Sequence, residues 1–252
     1  MKILGFIETS LVDWDKKVSS VIFLGGCNFN CPFCQNYPLV KESKKLKEFE
    51  WEQIKEKLLA KKNWIDGVVI SGGEPMMHPE IFGLLYKIKQ LGFLTKVDTN
   101  GFYPYPLKEA IEAGLVDYIA MDIKTNLNHI TDYDENNPAT KYYHLLISDK
   151  YNKACGRTIY LIVIERTIKL LKECGKDYEF RTTLVPGIVD LDDLLAIGQK
   201  LTPAKRYFIQ QFVPENARLE KFKKVKPYKK EEVEKILPAL QKYFDQVKLR
   251  GF

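Results

Sequence analysis

The stretch GCNFNCPFCQN places Cys27, Cys31 and Cys34 within eight residues of a 252-residue chain that has five cysteines in all. A disulfide would use two of these thiols and strand the third, and a structural zinc site wants four ligands. Three thiolates spaced by three and then two residues can hold three corners of a cubane iron–sulfur cluster. One iron then stays open to a small-molecule ligand. A zinc-binding structural protein or a ferredoxin-like electron carrier is the alternative at this point. Cys155 and Cys174 sit in helical sequence without such spacing and read as buried structural thiols.

Other unusual groups follow in order. In SGGEP, Gly72 and Gly73 let backbone approach a ligand closely, and Glu74 can pair with an ammonium. DTNG carries Asp98, Thr99 and Asn100; DIK carries Asp122 and Lys124. Arg181 lies in RTTLVPG, and Gln210 and Gln211 lie in IQQF. Each group ends an apolar, β-branched run: VSSVIFLGG before the thiols, then DGVVI, FLTKV, VDYIAM, YEF and RYF. Between these runs lie stretches with helical spacing, such as EFEWEQIKEKLLAKK, HPEIFGLLYKIKQLG, PLKEAIEAG, DLDDLLAIGQKLT and KEEVEKILPALQKYFDQ. Helical material is also expected over 138–175, after a polar loop, NLNHITDYDENNP.

Strands alternating with helices predict an α/β fold with a parallel sheet and helices outside it. About six βα units predict a partial, open TIM-like barrel, as a single domain over residues 1–252. In such folds, sites form at the carboxyl ends of the strands. All the groups above fall there, so one rim collects the chemistry. Asp98 and Asp122 at adjacent strand ends could otherwise cap the loops that follow, and the two glutamines could bond backbone.

The cysteine triplet, with Phe33 just before its last member, resembles the radical S-adenosylmethionine (SAM) superfamily. That resemblance implies one 4Fe-4S cluster on Cys27, Cys31 and Cys34 and S-adenosyl-L-methionine at the open iron. Reductive cleavage there gives a hydrogen-abstracting deoxyadenosyl radical. It also implies that Gly72, Gly73 and Glu74 bind the methionine amino group. Asn36, DTNG and DIK narrow the resemblance to the glycyl-radical-enzyme activating enzymes, specifically the anaerobic ribonucleoside-triphosphate reductase type. There Asp98, Thr99 and Asp122 would hold a monovalent cation, and Lys124 would face the cofactor carboxylate. Asn36, Asn100, Arg181 and Gln211 would touch the cofactor, with Gln210 beside the last. Gln35 departs from the histidine that many such activases carry. The implied reaction abstracts hydrogen from a glycine of a partner glycyl-radical enzyme, such as an anaerobic ribonucleotide reductase. A small molecule or nucleotide is the alternative substrate. No room exists for a ferredoxin insert between the triplet and SGGEP, so an external one-electron donor such as flavodoxin or ferredoxin is expected.

Composition bounds the rest. Hydrophobic residues make up 45% and charged residues 29%, as in ordinary soluble domains, and the net charge is +6. Lysine-rich stretches read as solvated faces, and nucleic acid is not an expected partner. No signal-like N-terminus or membrane-length apolar run is present, so a cytoplasmic location with reduced thiols is expected.

Overall fold

The structure is a computed structural model that describes residues 1–128 and 148–252. The expected polar loop and the first part of the expected helical stretch fall largely on 129–147, outside the described residues.

All six expected strands form: β2 (Ser19–Leu24), β3 (Gly67–Gly72), β4 (Leu94–Thr99), β5 (Tyr118–Asp122), β6 (Asp177–Leu184) and β7 (Ala204–Gln211). They pair in chain order and all run parallel. Two further strands close the list. β1 (Ile3–Ser10) pairs antiparallel with β2, and β8 (Phe244–Arg250) pairs parallel with β7. The result is an eight-stranded, mostly parallel open sheet, a partial barrel. The helix expected over KEEVEKILPALQKYFDQ is only partly realised. Two short turns at Lys230–Glu234 and Leu237–Leu240, the second carrying Pro238, give way to β8, because proline removes a helix donor and crowds the preceding turn.

The helices named from here are α1 (Tyr37–Val40), α2 (Trp51–Ala60), α3 (Ile81–Gln90), α4 (Pro104–Glu112), α5 (Asp149–Cys155), α6 (Leu161–Glu173) and α7 (Leu191–Leu201). α3 buries Ile81, Leu84, Leu85 and Ile88, the single-face spacing of an amphipathic helix. Such faces pack with Ile22, Leu24, Ile70 and Val97 from the strands into the main core outside the barrel wall.

The opposite strand face turns inward, because side chains alternate along a strand. At the bottom of the barrel, Val21, Val69 and Tyr118 surround Trp14, delivered by the β1–β2 connection. Above them the interior is charged. Lys96 and Glu179 are fully buried, 3.4 Å apart. Tyr118 Oη donates to Glu179 at 2.9 Å, and Arg250 reaches it at 3.2 Å. Lys248 on β8 pairs at 2.8 Å with Asp15 beyond β1, tying the two ends of the sheet together.

Candidate active site

At the carboxyl ends of the strands lies a cavity of about 370 Å³. Cys27, Cys31 and Cys34 all line it, together with Phe33, Asn36, Gly72, Gly73 and Asn100. Asp98, Thr99, Asp122, Lys124, Arg181 and Gln210 complete the expected set. Residues separated by 154 positions, from Cys27 to Arg181, therefore share one surface, as parallel strand topology requires.

The cysteine loop is held from three sides. Asn30 N donates to Cys155 O at 2.8 Å, and Leu219 N donates to Pro32 O at 3.0 Å. Phe29 packs edge-on against Phe102, and Phe33 against Phe222. Beneath the loop, Glu74 N donates to Gly26 O at 3.0 Å. A Cβ on Gly73 would lie 1.6 Å from Gly26 O, so only glycine permits this approach of β3 to the thiol loop. Asn36 Nδ2 donates to Gly72 O at 3.2 Å.

Burial pushes the Cys27 thiol up to about 12 and the Cys31 thiol up to about 11; Cys34 moves in the same direction for the same reason. The Lys124 ammonium pulls against burial at all three. Lys124 itself is raised: burial opposes its charge, and Asp122 and Cys31 outweigh burial. Two hydrogen bonds converge on Cys27 Sγ, from Phe29 N at 3.3 Å and Asn100 Nδ2 at 3.8 Å. Asn28 Nδ2, in the same loop, is buried with no hydrogen-bond partner among the described residues. A purely thiolate donor set, nearby N–H groups and one compensating cation suit an iron–sulfur cluster. Among the described residues, no three His, Cys, Asp or Glu side chains converge as on a single metal ion.

Opposite the thiols the wall carries alternating charge. Lys124 pairs with Asp122 at 3.0 Å, Asp122 with Arg181 at 2.8 Å, and Arg181 with Asp98 at 3.1 Å. Ser71 Oγ donates to Asp98 at 2.9 Å, and Lys96 approaches it from below at 3.7 Å. Burial works against ionisation of Asp122, but Arg181 and Lys124 outweigh it and hold its carboxyl down at about 2.

The Arg181 guanidinium lies between Asp98 and Asp122, and the Thr99 hydroxyl is turned to Glu74. Glu74 does not present its carboxylate to the cavity. It is fully buried and accepts from Thr99 Oγ1 at 2.8 Å, Met76 N at 3.1 Å and Asn100 N at 2.6 Å. Gln211 faces away from the cavity and donates to Tyr228 O at 3.0 Å, while its neighbour Gln210 lines the cavity. The strand period decides this, since Arg181 and Thr183 on β6 stand beside Phe208 and Gln210 on β7. The same period carries Arg181 to Thr183, and the register that pairs Ile70 with Val97 sets Ser71 beside Asp98; both also line the cavity. Tyr37 and Asp13 line it with no comparable sequence signal. Cys155 is buried and Cys174 half-buried, and neither lines the cavity.

The family model of the Radical SAM superfamily matches residues 21–197. A Methanocaldococcus jannaschii protein, provisionally named a glycyl-radical enzyme activating enzyme, is 33% identical over 249 residues, covering 98% of this chain and 94% of its own. The pyruvate formate-lyase-activating enzyme of Clostridium pasteurianum is 32% identical over 120 residues, 46% of this chain and 48% of its own. Among solved structures, Streptococcus suis SuiB bound to S-adenosylmethionine superposes with a TM-score of 0.60 at 17% identity. That match covers 92% of this chain, which spans about half the length of SuiB.

Proposed function

The chain belongs to the radical SAM superfamily, and from that membership we propose that it activates a glycyl-radical enzyme by removing a hydrogen atom from a glycine of the partner. The observation that carries the radical chemistry is the single cavity shared by the three thiols and the charged wall. The activase assignment is supported by similarity along the whole length to the M. jannaschii relative.

When bound, a 4Fe-4S cluster and S-adenosylmethionine together supply one-electron cleavage of a carbon–sulfur bond and a hydrogen-abstracting deoxyadenosyl radical. Cys27, Cys31 and Cys34 would hold the cluster, with Lys124 offsetting thiolate charge. The wall suits a zwitterionic amino-acid head: Lys124 and Arg181 for its carboxylate, Asp98 and Asp122 for its ammonium. Phe33 and Phe29, both buried beside the thiols, keep water from the cluster loop. Gly72 and Gly73 bring backbone to the cavity edge without side-chain bulk.

The test is anaerobic reconstitution with iron and sulfide, reduction with dithionite, and assay of deoxyadenosine. Cys27→Ala, Cys31→Ala and Cys34→Ala should each lose cluster absorbance and deoxyadenosine, whereas Cys155→Ala should keep its iron. Addition of a purified anaerobic ribonucleotide reductase from the same organism should produce a glycyl-radical electron paramagnetic resonance signal on that protein. Deoxyadenosine formation without a radical on any glycyl-radical enzyme of the organism would remove the activase assignment.

A further inference from the structure

The molecule's charge is unevenly placed. Residues 218–230, RLEKFKKVKPYKK, hold six lysines and Arg218 against one acidic side chain, Glu220. That excess of six equals the formal net charge of the whole chain, +6, so the remainder is balanced. All six lysines are exposed. Lys223 pairs with Glu220 and Lys230 with Glu234, but Lys221, Lys224 and Lys226 have no ion pair among the described residues.

This basic run is seated on the cysteine loop. Leu219 N bonds Pro32 O, one residue from Cys31. Phe222 is buried against Phe33, one residue from Cys34. The Arg218 guanidinium lies 5.3 Å from the ring centroid of Tyr37, which is three residues past Cys34 in sequence. None of residues 218–230 lines the cavity, so a molecule held here leaves the cavity mouth to substrate.

We propose that residues 218–230 form the docking face for an acidic one-electron carrier protein, which delivers its electron through the Pro32–Cys34 side of the loop. The inference rests on the radical SAM reading above, which requires an external reductant. The step is an outer-sphere transfer: the reduced carrier loses one electron, the cluster gains it, and no bond forms or breaks. Two other anionic partners fit less well. Single-stranded nucleic acid needs exposed aromatic faces for stacking; here Phe222 is buried, and Tyr228 Oη is turned to Asp190. A membrane surface needs an exposed apolar face beside the charges, and the run exposes none.

The test uses purified flavodoxin as the acidic carrier and the full chain, with and without reconstituted cluster. Binding should weaken with rising ionic strength, as screened charge pairing requires. The triple variant Lys221→Glu/Lys224→Glu/Lys226→Glu should bind about tenfold or more weakly at low salt and lose flavodoxin-driven bleaching of the cluster. Its dithionite-driven bleaching and deoxyadenosine yield should match wild type. A control places the same charge change at Lys62, Lys108 and Lys169 and should behave as wild type. Equal weakening in both triple variants, or in neither, overturns the docking face. So does tighter binding of a single-stranded oligonucleotide, or of anionic vesicles, than of flavodoxin to the same lysines. Wild type that makes no deoxyadenosine even with dithionite would instead sink the proposed function, leaving the flavodoxin binding data to stand or fall alone.

Discussion

Glu74 shows how a residue can matter to a site without facing it. Its carboxylate ties the 3-10 turn at Pro75–Met77 to the end of β4, and so orients Asn100, whose side chain bridges Asn28 at 2.8 Å and reaches Cys27 Sγ. Burial pushes the Glu74 carboxyl up from 4.5 to about 7, against hydrogen bonds from Asn100, Thr99 and Met76. A carboxyl raised on folding stabilises the fold most when protonated. Its contribution is full below pH 4.5 and is lost as pH rises through about 7. Glu74→Gln should therefore flatten the stability difference across that window, a span of about 3 kcal/mol. Urea unfolding of the cluster-free protein between these pH values checks it. Parallel pH profiles for the two proteins would show that Glu74 stays ionised throughout.

At the scale of elements, the end of β3 is the most constrained joint. Gly72 has φ +111° and its Cβ would strike Leu24 O at 2.4 Å; Gly73 abuts Gly26 O. Backbone cannot yield as a flexible side chain can, so Gly73→Ala should cost about 3 kcal/mol and loosen iron retention by displacing the cysteine loop. Gly83 provides the contrast. It sits exposed in α3, and an added Cβ meets nothing within 4 Å among the described residues. Gly83→Ala should stabilise by about 0.5–1 kcal/mol through the unfolded chain. Denaturant midpoints for the two variants should move in opposite directions. A Gly73→Ala protein as stable as wild type, with full iron, would mean that β3 and the loop can separate freely.

At the scale of the molecule, a ladder of charges runs through the barrel: Lys124, Asp122, Arg181, Asp98, Lys96, Glu179 and Arg250. It links the cavity wall to β8, 126 residues from Lys124 in sequence. Removing one member leaves a buried, unpaired charge, which costs more than the pair contributes. Lys96→Met should destabilise by about 3 kcal/mol, and adding Glu179→Gln should restore at least about 1 kcal/mol of that loss. Strictly additive losses in the double-mutant cycle would mean that Lys96 and Glu179 do not couple. Among the described residues no helix is long and apolar enough to cross a membrane.

The amino-acid sequence by itself determined the chemistry and the strand order. Thiol spacing is a local property, and apolar runs ending in glycine or aspartate mark strand ends that a parallel sheet must bring to one rim. It could not assign which side of each element a residue faces at a turn or a strand's last position. Gln210 and Gln211 differ only by one step of the strand period, and that step is set by pairing with β6. Nor could it separate Glu74 as ligand from Glu74 as brace, since the outcome depends on where the end of β4 arrives. Nor could it place the Arg181 guanidinium between Asp98 and Asp122, since Arg181 is distant from both in sequence. β1 and β8 escaped notice because edge strands gain their order from a neighbour's hydrogen bonds, which no local pattern records. Placement of charge against charge across the barrel was decided only by tertiary structure, because Coulomb energy depends on distances that folding alone creates.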